Sequence, residues 1–372
     1  MLVSGPRHIA DHLTTAYGAS GERSFDADLI GRQVFERDFE VVHCGADEVP
    51  PSRTSSLRVG RNLDGCRVGF DLGASDRKTA AVIDGKEVFS EETVWDPRGN
   101  SDPEYHYREI KAGIERARAH MPRIDAIGGS SAGVIVDNRV MVASIFRSVA
   151  PKDFPKARDV YLRLQAEYKV PFQVANDGDV TALAGAMSLE EGRVLGIAMG
   201  SSEAAGYVDA DGNITGWLNE LAFAPIDYAP SAPQDEWSGD IGCGVQYLTQ
   251  QAVFRLAEKA GIDLSKTDVA AEKLRIAQDA LESGHPGAKE VWQSIGVAFG
   301  YAIAHYACFY DIGRVLTLGR VTSGGGGPII IKQAELVLKI EFPELADVRL
   351  SLPDEKTRRV GQAVAAASLP SL

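Results

Sequence analysis

The sequence predicts an α/β protein built from two similar halves with a cleft between them. From Cys66 onward, apolar strand-like runs alternate with helical patterns, which is typical of a mostly parallel sheet covered by helices on both faces. From about residue 193 the same order of elements begins again. At about 150 residues per domain, 372 residues are enough for two domains with a segment left over.

The first half opens with CRVGFDLG, residues 66–73, which predicts a buried strand that ends in a glycine turn. Residues 78–95 predict a strand pair that turns at Asp84-Gly85. The remaining elements follow from apolar periodicity and from Gly and Pro breaks. They are a helix over 104–121, a strand over 124–133, a helix over 155–170, a strand over 171–179 and a helix over 180–189.

The second half repeats this opening. Residues 193–217 again give a strand, a glycine-rich turn, a strand and a tight turn, here at Asp211-Gly212. The later elements are helices over 247–261, 268–283 and 288–310, a strand over 314–319, the glycine run 324–327 and a helix over 328–340. We therefore expect domains at 66–190 and 191–355, with a final helix at about 356–370 that returns to the first domain.

Residues 1–65 differ from the rest, because they mix charges and turn residues without regular alternation of strands and helices. We interpret them as an extension that packs on the main body or is partly mobile. A helix-turn-helix over residues 8–35 is the alternative. It is disfavoured because the segment contains no basic recognition helix.

The net charge of −13 argues against partners that are bound by neutralising phosphates along a polymer. Nucleic-acid and anionic-membrane binding are therefore not expected. No apolar run of signal-peptide or membrane-spanning length occurs, and the four cysteines form no CxxC pair. We expect a cytoplasmic protein with reduced thiols.

Three glycine-rich turns, at 71–78, 199–206 and 318–327, each follow an apolar strand. Turns of Gly and Ser expose backbone N–H groups and let a phosphate approach without obstruction by Cβ atoms. None of the three fits the P-loop or the GxGxxG pattern. Any one of them is an ordinary turn until shown otherwise, but three in matching positions favour a bound polyanion.

A second group of candidate residues lies in VANDGDVTALAG, residues 174–185, where a strand ends and a helix begins. Polar side chains at such a place face the crevice in which α/β proteins bind ligands. Asp177 there has the chemistry to accept a proton from an attacking hydroxyl group. The simpler alternative is that Asn176, Asp177 or Asp179 only caps the helix.

The order of the segments DLGASDRK, ANDGD, GIAMGSSEAAG, NELAF and LTLGRVTSGGGG resembles the ROK family of sugar kinases and sugar-responsive repressors. The resemblance runs from about Val68 to the final helix. It implies the actin-like ATPase (ribonuclease H-like) fold, a sugar or polyol substrate, ATP with Mg²⁺ as cofactors, and a homodimer.

The resemblance also implies roles for particular residues. Asn176 would bind substrate hydroxyls and Asp177 would be the general base, while Asp71 would lie near Mg²⁺ held by the nucleotide. Further substrate contacts are implied for Glu220, Ser131 and Gly133. Nucleotide contacts are implied for Asp71, Gly73, Ser75, Lys78, Gly200, Ser201, Ser202, Gly324 and Gly325.

The sequence departs from the family pattern in several places. Lys78 ends a loop two residues longer than usual, and Glu203 would repel phosphates unless it points away or reaches a metal. The family's sugar-binding and zinc-binding His is here Phe223, and only Cys243 remains of its zinc cysteines. One cysteine without a histidine cannot complete a tetrahedral site, so we expect no structural zinc. Phe223 and Trp217 would instead offer a stacking surface.

Together these observations favour an ATP-dependent kinase that acts on a sugar or sugar-like polyol, with Asp177 as general base. The alternative is a catalytically silent regulator of the same fold that binds sugar or nucleotide. A DNA-binding repressor is disfavoured by the acidic balance of the chain.

Overall fold

Two separate β-sheets form the centres of two lobes. In this computed structural model the described residues are 1–51, 59–354 and 361–372. We call the part built on the five-stranded sheet the first lobe and the part built on the four-stranded sheet the second lobe. No helix in the described ranges combines the length and the apolar character needed to cross a membrane.

The N-terminal segment has structure of its own. A short parallel strand pair joins its two ends, and the helical turns between them pack on the rest of the chain. Its elements are β1 (Leu2–Ser4), α1 (Arg7–Ala16), α2 (Ser24–Asp26), a π-helical turn (Ala27–Val34) and β2 (Val42–Cys44).

The first lobe has the strand order β5-β4-β3-β6-β9, in which β3, β4 and β5 form an antiparallel meander and β6 and β9 run parallel to β3. The hairpin between β4 and β5 turns at Asp84 and Gly85, both with positive φ. The elements are β3 (Cys66–Leu72), β4 (Asp76–Ile83), β5 (Lys86–Val94), α3 (Pro103–Arg118), β6 (Ala126–Ser131), the hairpin β7 (Val134–Val136) and β8 (Arg139–Val142), α4 (Phe154–Arg158), α5 (Val160–Tyr168), β9 (Phe172–Asn176) and α6 (Asp177–Leu189).

The second lobe repeats the plan with the order β11-β10-β12-β13, again an antiparallel pair followed by parallel strands. Its core is centred on the fully buried Trp292 and Phe299 of its longest helix. The elements are β10 (Val194–Met199), β11 (Glu203–Val208), α7 (Gln250–Lys259), α8 (Ala270–Glu282), α9 (Ala288–Tyr306), β12 (Arg314–Leu318), α10 (Gly326–Glu341), β13 (Arg349–Ser351) and α11 (Gln362–Ala367).

Helices α6 and α11 connect the lobes. Although α6 falls within the predicted first domain, 66–190, it packs mainly on β10 and β11 of the second sheet, while α11 packs on β3 and β6 of the first. The two helices contact each other, and Gln362 donates a hydrogen bond to Oγ1 of Thr181 at 2.6 Å. The small residues of α6 allow the helix to pack closely on the second sheet. An added Cβ at Gly185 would lie 2.4 Å from the side chain of Leu316 on β12.

Most predicted elements are present, with several differences in extent. The predicted helix 288–310 ends at Tyr306, and the helix over 155–170 is divided at Asp159 into α4 and α5. The hairpin β7–β8 and the strand β13 were not predicted, because both are short and carry no clear alternation. Residues 356–360 of the predicted final helix lie outside the described residues.

Replacing Gly128 with alanine should destabilise the protein. The new Cβ would lie 1.7 Å from the carbonyl oxygen of Ala366, so α11 would have to move away from β6. We expect a loss of about 1–3 kcal/mol in the free energy of unfolding, measured by urea denaturation. Gly5→Ala is the control, because nothing lies within 4 Å of its added Cβ. Equal midpoints for the two variants would contradict this close contact.

Candidate active site between the two lobes

The first turn of α6 is held by side chains that end the preceding strand. Asn176 caps the helix, since its Oδ1 accepts from the backbone N–H of Gly178 at 2.8 Å. Its Nδ2 donates to the carbonyl oxygen of Gly133 at 2.8 Å. The capping interpretation is therefore correct for Asn176, and the same residue holds the glycine turn after β6 against the start of α6.

Asp177 is the first residue of α6 and is half-buried. The backbone N–H of Gly178, which donates to Asn176, also donates to Oδ1 of Asp177 at 3.0 Å. Oδ2 of Asp177 has no hydrogen bond to any residue in the described ranges. Burial raises the pKa of this carboxyl group, although the backbone N–H groups at the start of the helix oppose the increase. Asp177 thus presents one free carboxylate oxygen with enhanced basicity.

Asp71 lies near the end of β3, directly opposite Lys78 of β4 in the antiparallel register. Directly paired residues share a face of the sheet, so both side chains project on the same side. Burial raises the pKa of Asp71 to about 6, with Asp177 adding to the increase and Lys78 opposing it. Oγ of Ser130 donates to Asp71 at 2.6 Å. The longer loop therefore leaves Lys78 within the strand and close to Asp71.

Asp179 lies one residue into the helix beyond Gly178 and is 6% exposed. Its Oδ1 accepts from Nδ2 of Asn219 at 2.7 Å and from the backbone N–H of Tyr207 at 3.3 Å. Asn219 in turn accepts from the hydroxyl of Tyr310 at 2.9 Å. Burial raises the pKa of Asp179 to about 8, so this carboxyl group is largely protonated at neutral pH.

Glu220 belongs to the same electrostatic group. Solvent reaches its side chain, but the protein around it raises its pKa to about 7, and the charge of Asp177 adds to the increase. Glu220 in turn contributes to the raised pKa of Asp179. The structure therefore brings the predicted residues Asp71, Asp177 and Glu220 into one cleft, with each lobe contributing carboxyl groups.

Two other predicted substrate residues have different surroundings. Ser131 is fully buried, and its Oγ accepts from the hydroxyl of Tyr161 at 2.7 Å. Its side chain therefore supports the cleft from behind and does not line it. Gly133 has a φ of +105°, and an added Cβ would lie 2.2 Å from the carbonyl oxygen of Val142. Only glycine fits this turn.

A cavity of about 240 Å³ lies on one side of the first turns of α6. Asn176, Asp179 and Gly133 line it together with Trp217, which also packs near Tyr310. Its other walls are mostly apolar. They include Val134 and Val136 of the β7–β8 hairpin, Ile214, Leu218 and Phe35 of the N-terminal segment.

A larger cavity of about 740 Å³ lies further along α6. Thr181 and Gly185 of the helix line it, opposite the turn that follows β12. The predicted residue Gly324 is part of its wall, whereas Gly325 is exposed beside it and is not a lining residue. Arg320 and Gln362 also line this cavity and were missed by the sequence analysis, because neither belongs to a recognisable motif.

The two hairpin turns expose small residues. In the first turn, the backbone N–H of Gly73 donates to the backbone carbonyl oxygen of Asp76 at 2.9 Å, and Ser75 is exposed. In the second, Gly200 donates to the carbonyl of Ser202 at 3.0 Å, and Ser201 and Ser202 are exposed. Ser202 directly precedes β11, four residues before Gly206, which contacts Gly178, so Ser202 lies about 13 Å along the chain from that contact.

Glu203 turns away from the second turn. It is 5% exposed, and its Oε1 accepts from the hydroxyl of Tyr306 at 3.3 Å. Its other oxygen is buried without a partner in the described residues, and burial raises its pKa to about 8. The sequence analysis expected Glu203 either to point away from bound phosphates or to reach a metal. The side chain points away from the turn and into the core.

The stacking surface expected from Phe223 and Trp217 is only half present. Trp217 lines the smaller cavity, but Phe223 packs against Phe25 of the N-terminal segment, with ring centroids 5.6 Å apart. Phe223 is partly buried by this contact and is not a lining residue of the smaller cavity. Within the described ranges no three His, Cys, Asp or Glu side chains are arranged to hold a metal ion, and Cys243 is a buried free thiol.

Comparison with known proteins identifies the fold. No protein-family model and no curated sequence matches the chain. The ROK hexokinase from Thermus thermophilus is 20% identical, with a TM-score of 0.63 over 81% of this chain and 97% of that one. A ROK family glucokinase from Streptomyces griseus, solved with glucose and AMPPNP, is 18% identical, with a TM-score of 0.59 over 82% and 99%.

A ROK family transcriptional regulator, a homolog of the E. coli MLC protein, is similar to the same degree. It is 18% identical, with a TM-score of 0.62 over 82% of this chain and 78% of that one. The predicted actin-like ATPase fold is therefore confirmed: this chain has the two-lobed α/β fold of ROK kinases and of a ROK regulator.

The raised pKa of Asp179 predicts how stability depends on pH. Between its ordinary value of 3.8 and about 8, the folded protein holds a proton at this site that the unfolded chain has lost, so stability falls as pH rises. Asp179→Asn removes this dependence. The free energy of unfolding of the variant, relative to that of the wild type, should increase by about 1–3 kcal/mol between about pH 5 and pH 8. Chemical denaturation at each pH measures this difference.

The matched control for this measurement is Asp347→Asn, an exposed position in the second lobe. Its stability should follow that of the wild type across the same pH range. If the free energies of unfolding of Asp179→Asn and the wild type differ by the same amount at every pH, Asp179 is not the buried titrating group.

Proposed function

We propose that this protein is a kinase that transfers the γ-phosphoryl group of ATP to a hydroxyl group of a single sugar or sugar-like polyol. The observation that carries the proposal is the position of the first two turns of α6 between two cavities. Asn176 and Asp179 line the cavity of about 240 Å³, and Thr181 lines the cavity of about 740 Å³. Asp177 follows Asn176 in the first of these turns; it is a lining residue of neither cavity, and we infer that a donor and an acceptor held in the two cavities meet at its carboxylate.

The smaller cavity suits a polyol. The cavity combines polar and apolar walls, and Trp217 is among its lining residues. The polar lining residues are Asp137, Gln173, Asn176, Asp179 and Thr215. Sugar rings combine polar edges with apolar faces, and an aromatic side chain covers such a face well. At about 240 Å³ the cavity is smaller than the roughly 300 Å³ at the lower end for drug-sized ligands, which favours one ring.

Asp177 supplies the base. Its free Oδ2 accepts the proton of the attacking hydroxyl, the oxygen forms a bond to the γ-phosphorus, and the bond to the β-phosphate oxygen breaks to release ADP. The raised pKa of Asp177 favours proton acceptance near neutral pH. Packing the start of α6 against the second sheet would hold Asp177 in place during the step.

The groups near Asp71 support the nucleotide side of the proposal. Lys78 projects beside Asp71, and the exposed residues of the two hairpin turns offer backbone N–H groups to phosphate oxygens. Mg²⁺ prefers one or two carboxylates together with substrate phosphates, and Asp71 fits the carboxylate part of that set. Such an ion would neutralise charge on the phosphates. The expected homodimer stays a prediction.

The alternative is a regulator that binds sugar or nucleotide without catalysis. It is favoured by the similarity to the ROK transcriptional regulator and by Asn176, whose two polar side-chain atoms both bond to the protein itself. A DNA-binding form is less favoured, because the helical turn over Ala27–Val34 packs through Val34 on the β7–β8 hairpin.

Asp177→Asn should reduce ADP formation by about 100- to 10,000-fold, because it removes the proton acceptor and leaves the shape of the side chain almost unchanged. The assay uses Mg-ATP with a panel of hexoses, aminosugars and polyols. Asp347→Asn serves as control and should retain full activity. Binding of the panel, measured by thermal shift, should survive in both variants.

If the wild type binds a sugar but forms no ADP above background, the kinase proposal fails and the regulator alternative stands. If Asp177→Asn keeps the wild-type rate, Asp177 is not the base.

The pH profile of kcat/KM gives an independent check. Because the pKa values of Asp177 and Asp71 are raised, the acid limb should lie above that of an ordinary aspartate, about 3.9. Lys78→Met removes the charge that lowers the pKa of Asp71, so the limb should move to higher pH. Lys332→Met, on the exposed face of α10, is the control. An acid limb that is unchanged in Lys78→Met would exclude Asp71 from the rate-determining ionisations.

A further inference from the structure

We propose that residues 23–36, which we call the strap, are part of the substrate site: they tie the two lobes together across the smaller cavity and limit it to a single sugar ring. The strap consists of α2 and the π-helical turn with the residues that flank them. That its occupant is a sugar or polyol rests on the proposed function. The strap itself is argued from its contacts.

One end of the strap is anchored on the first lobe. Glu36 forms ion pairs with Arg139 of β8 at 3.0 Å and with Arg158 of α4 at 2.6 Å. Val34 is 2% exposed and packs in a small apolar cluster with Val134 and Met141 of the β7–β8 hairpin. Charged and apolar contacts therefore hold this end to the same hairpin that forms a wall of the cavity.

The other end is anchored on the second lobe. Arg23 forms an ion pair with Asp240 at 2.5 Å, and the Asp240 side chain is only 12% exposed. Phe25 packs between Phe223 and Trp237, with ring centroids 5.6 and 5.4 Å away. Phe223 and Trp237 also contact each other at 5.3 Å, so the three rings form one aromatic cluster.

Phe35 lies within the first-lobe anchor, between Val34 and Glu36, and its side chain lines the cavity. It lines the cavity of about 240 Å³ together with Asn176, Asp179 and Trp217. The side chain is 47% exposed, and the Arg37 guanidinium lies 5.9 Å from the centroid of its ring. Phe35 therefore forms an outer wall over the space that the substrate would occupy, opposite the start of α6.

A segment fixed to both lobes must adjust when the lobes move relative to each other. Closure around a substrate is the common way in which two-lobed enzymes exclude water. With both ends held, the strap restricts how far the cavity can widen. A second sugar unit would have to displace Phe35, so the strap selects monosaccharides over disaccharides.

The test compares Phe35→Ala with the wild type in the full chain. Affinities for a panel of monosaccharides and matching disaccharides are measured by isothermal titration calorimetry, and ADP formation is followed in parallel. Phe35→Ala should bind its monosaccharide about tenfold more weakly and should gain disaccharide binding. Phe309→Ala, a phenylalanine that is 62% exposed elsewhere on the second lobe, should match the wild type.

Phe35→Ala with wild-type affinities for both sugar classes would overturn the proposal. A wild type that binds sugar without forming ADP would end the kinase proposal alone, since the binding comparison still decides the role of the strap. If only the variant binds sugar, Phe35 blocks the cavity and does not select a single ring, and the proposal is overturned. If neither protein binds any sugar, the cavity is not a polyol site and both proposals fall.

The anchor on the second lobe offers a second test that leaves Phe35 in place. Arg23→Asp and Asp240→Arg each replace the ion pair with a like-charge contact, and each should admit disaccharides. The double variant restores opposite charges and should recover the wild-type selectivity. Single variants that select like the wild type would show that this end of the strap does not control the cavity.

Discussion

The contact between Gly178 of α6 and Gly206 of β11 fixes where the start of α6, with its acidic residues, lies in the cleft. A Cβ at Gly206 would lie 2.2 Å from the carbonyl oxygen of Gly178, and a Cβ at Gly178 would lie 2.4 Å from that of Ala205. Helix and strand therefore touch backbone to backbone, which any side chain would prevent. Because the contact lies in the first turn of α6, Asp177 and Asp179 are held against the second lobe while Asn176 stays in the first.

The other helix that joins the lobes follows the same rule. Helix α11 rests on β3 and β6 at Gly69 and Gly128, where added Cβ atoms would lie 1.7 Å from backbone carbonyl oxygens of the helix. Each lobe thus holds one helix tightly, and α6 and α11 meet between the lobes. The two helices pack on each other through a shared buried cluster that includes Leu183 and Ala366, so a movement of one lobe against the other would act on this contact.

The parts of the fold that depend on neighbouring residues were predictable from sequence. The turn at Asp84-Gly85 and the polar pair Asn176-Asp177 at a strand end have local signatures, and both are where the sequence placed them. Contacts between distant residues were not predictable. Phe223 meets Phe25, nearly two hundred residues earlier in the chain, and nothing in either segment indicates the other.

The N-terminal segment shows the same limit. Its sequence shows no regular alternation of strands and helices and allows a helix-turn-helix over residues 8–35 only as an alternative, yet Val34 is buried against the first lobe. Whether Lys78 lies in the turn or in the strand depends on where β4 begins, and the length of the loop alone does not determine this. The strand begins at Asp76, so Lys78 lies in the strand. Chemistry carried by short motifs could be inferred from sequence, whereas the walls of the two cavities required the tertiary structure.

The cleft holds protons at neutral pH. Burial raises the pKa of Glu220 to about 7 and that of Asp179 to about 8, so both carboxyl groups keep a proton at a higher pH than ordinary carboxyl groups do. A ligand that brings positive charge near these groups would favour their ionised forms and expel protons into solution. The heat of binding would then include the ionisation enthalpy of whichever buffer takes up those protons, so the same ligand would give different heats in different buffers.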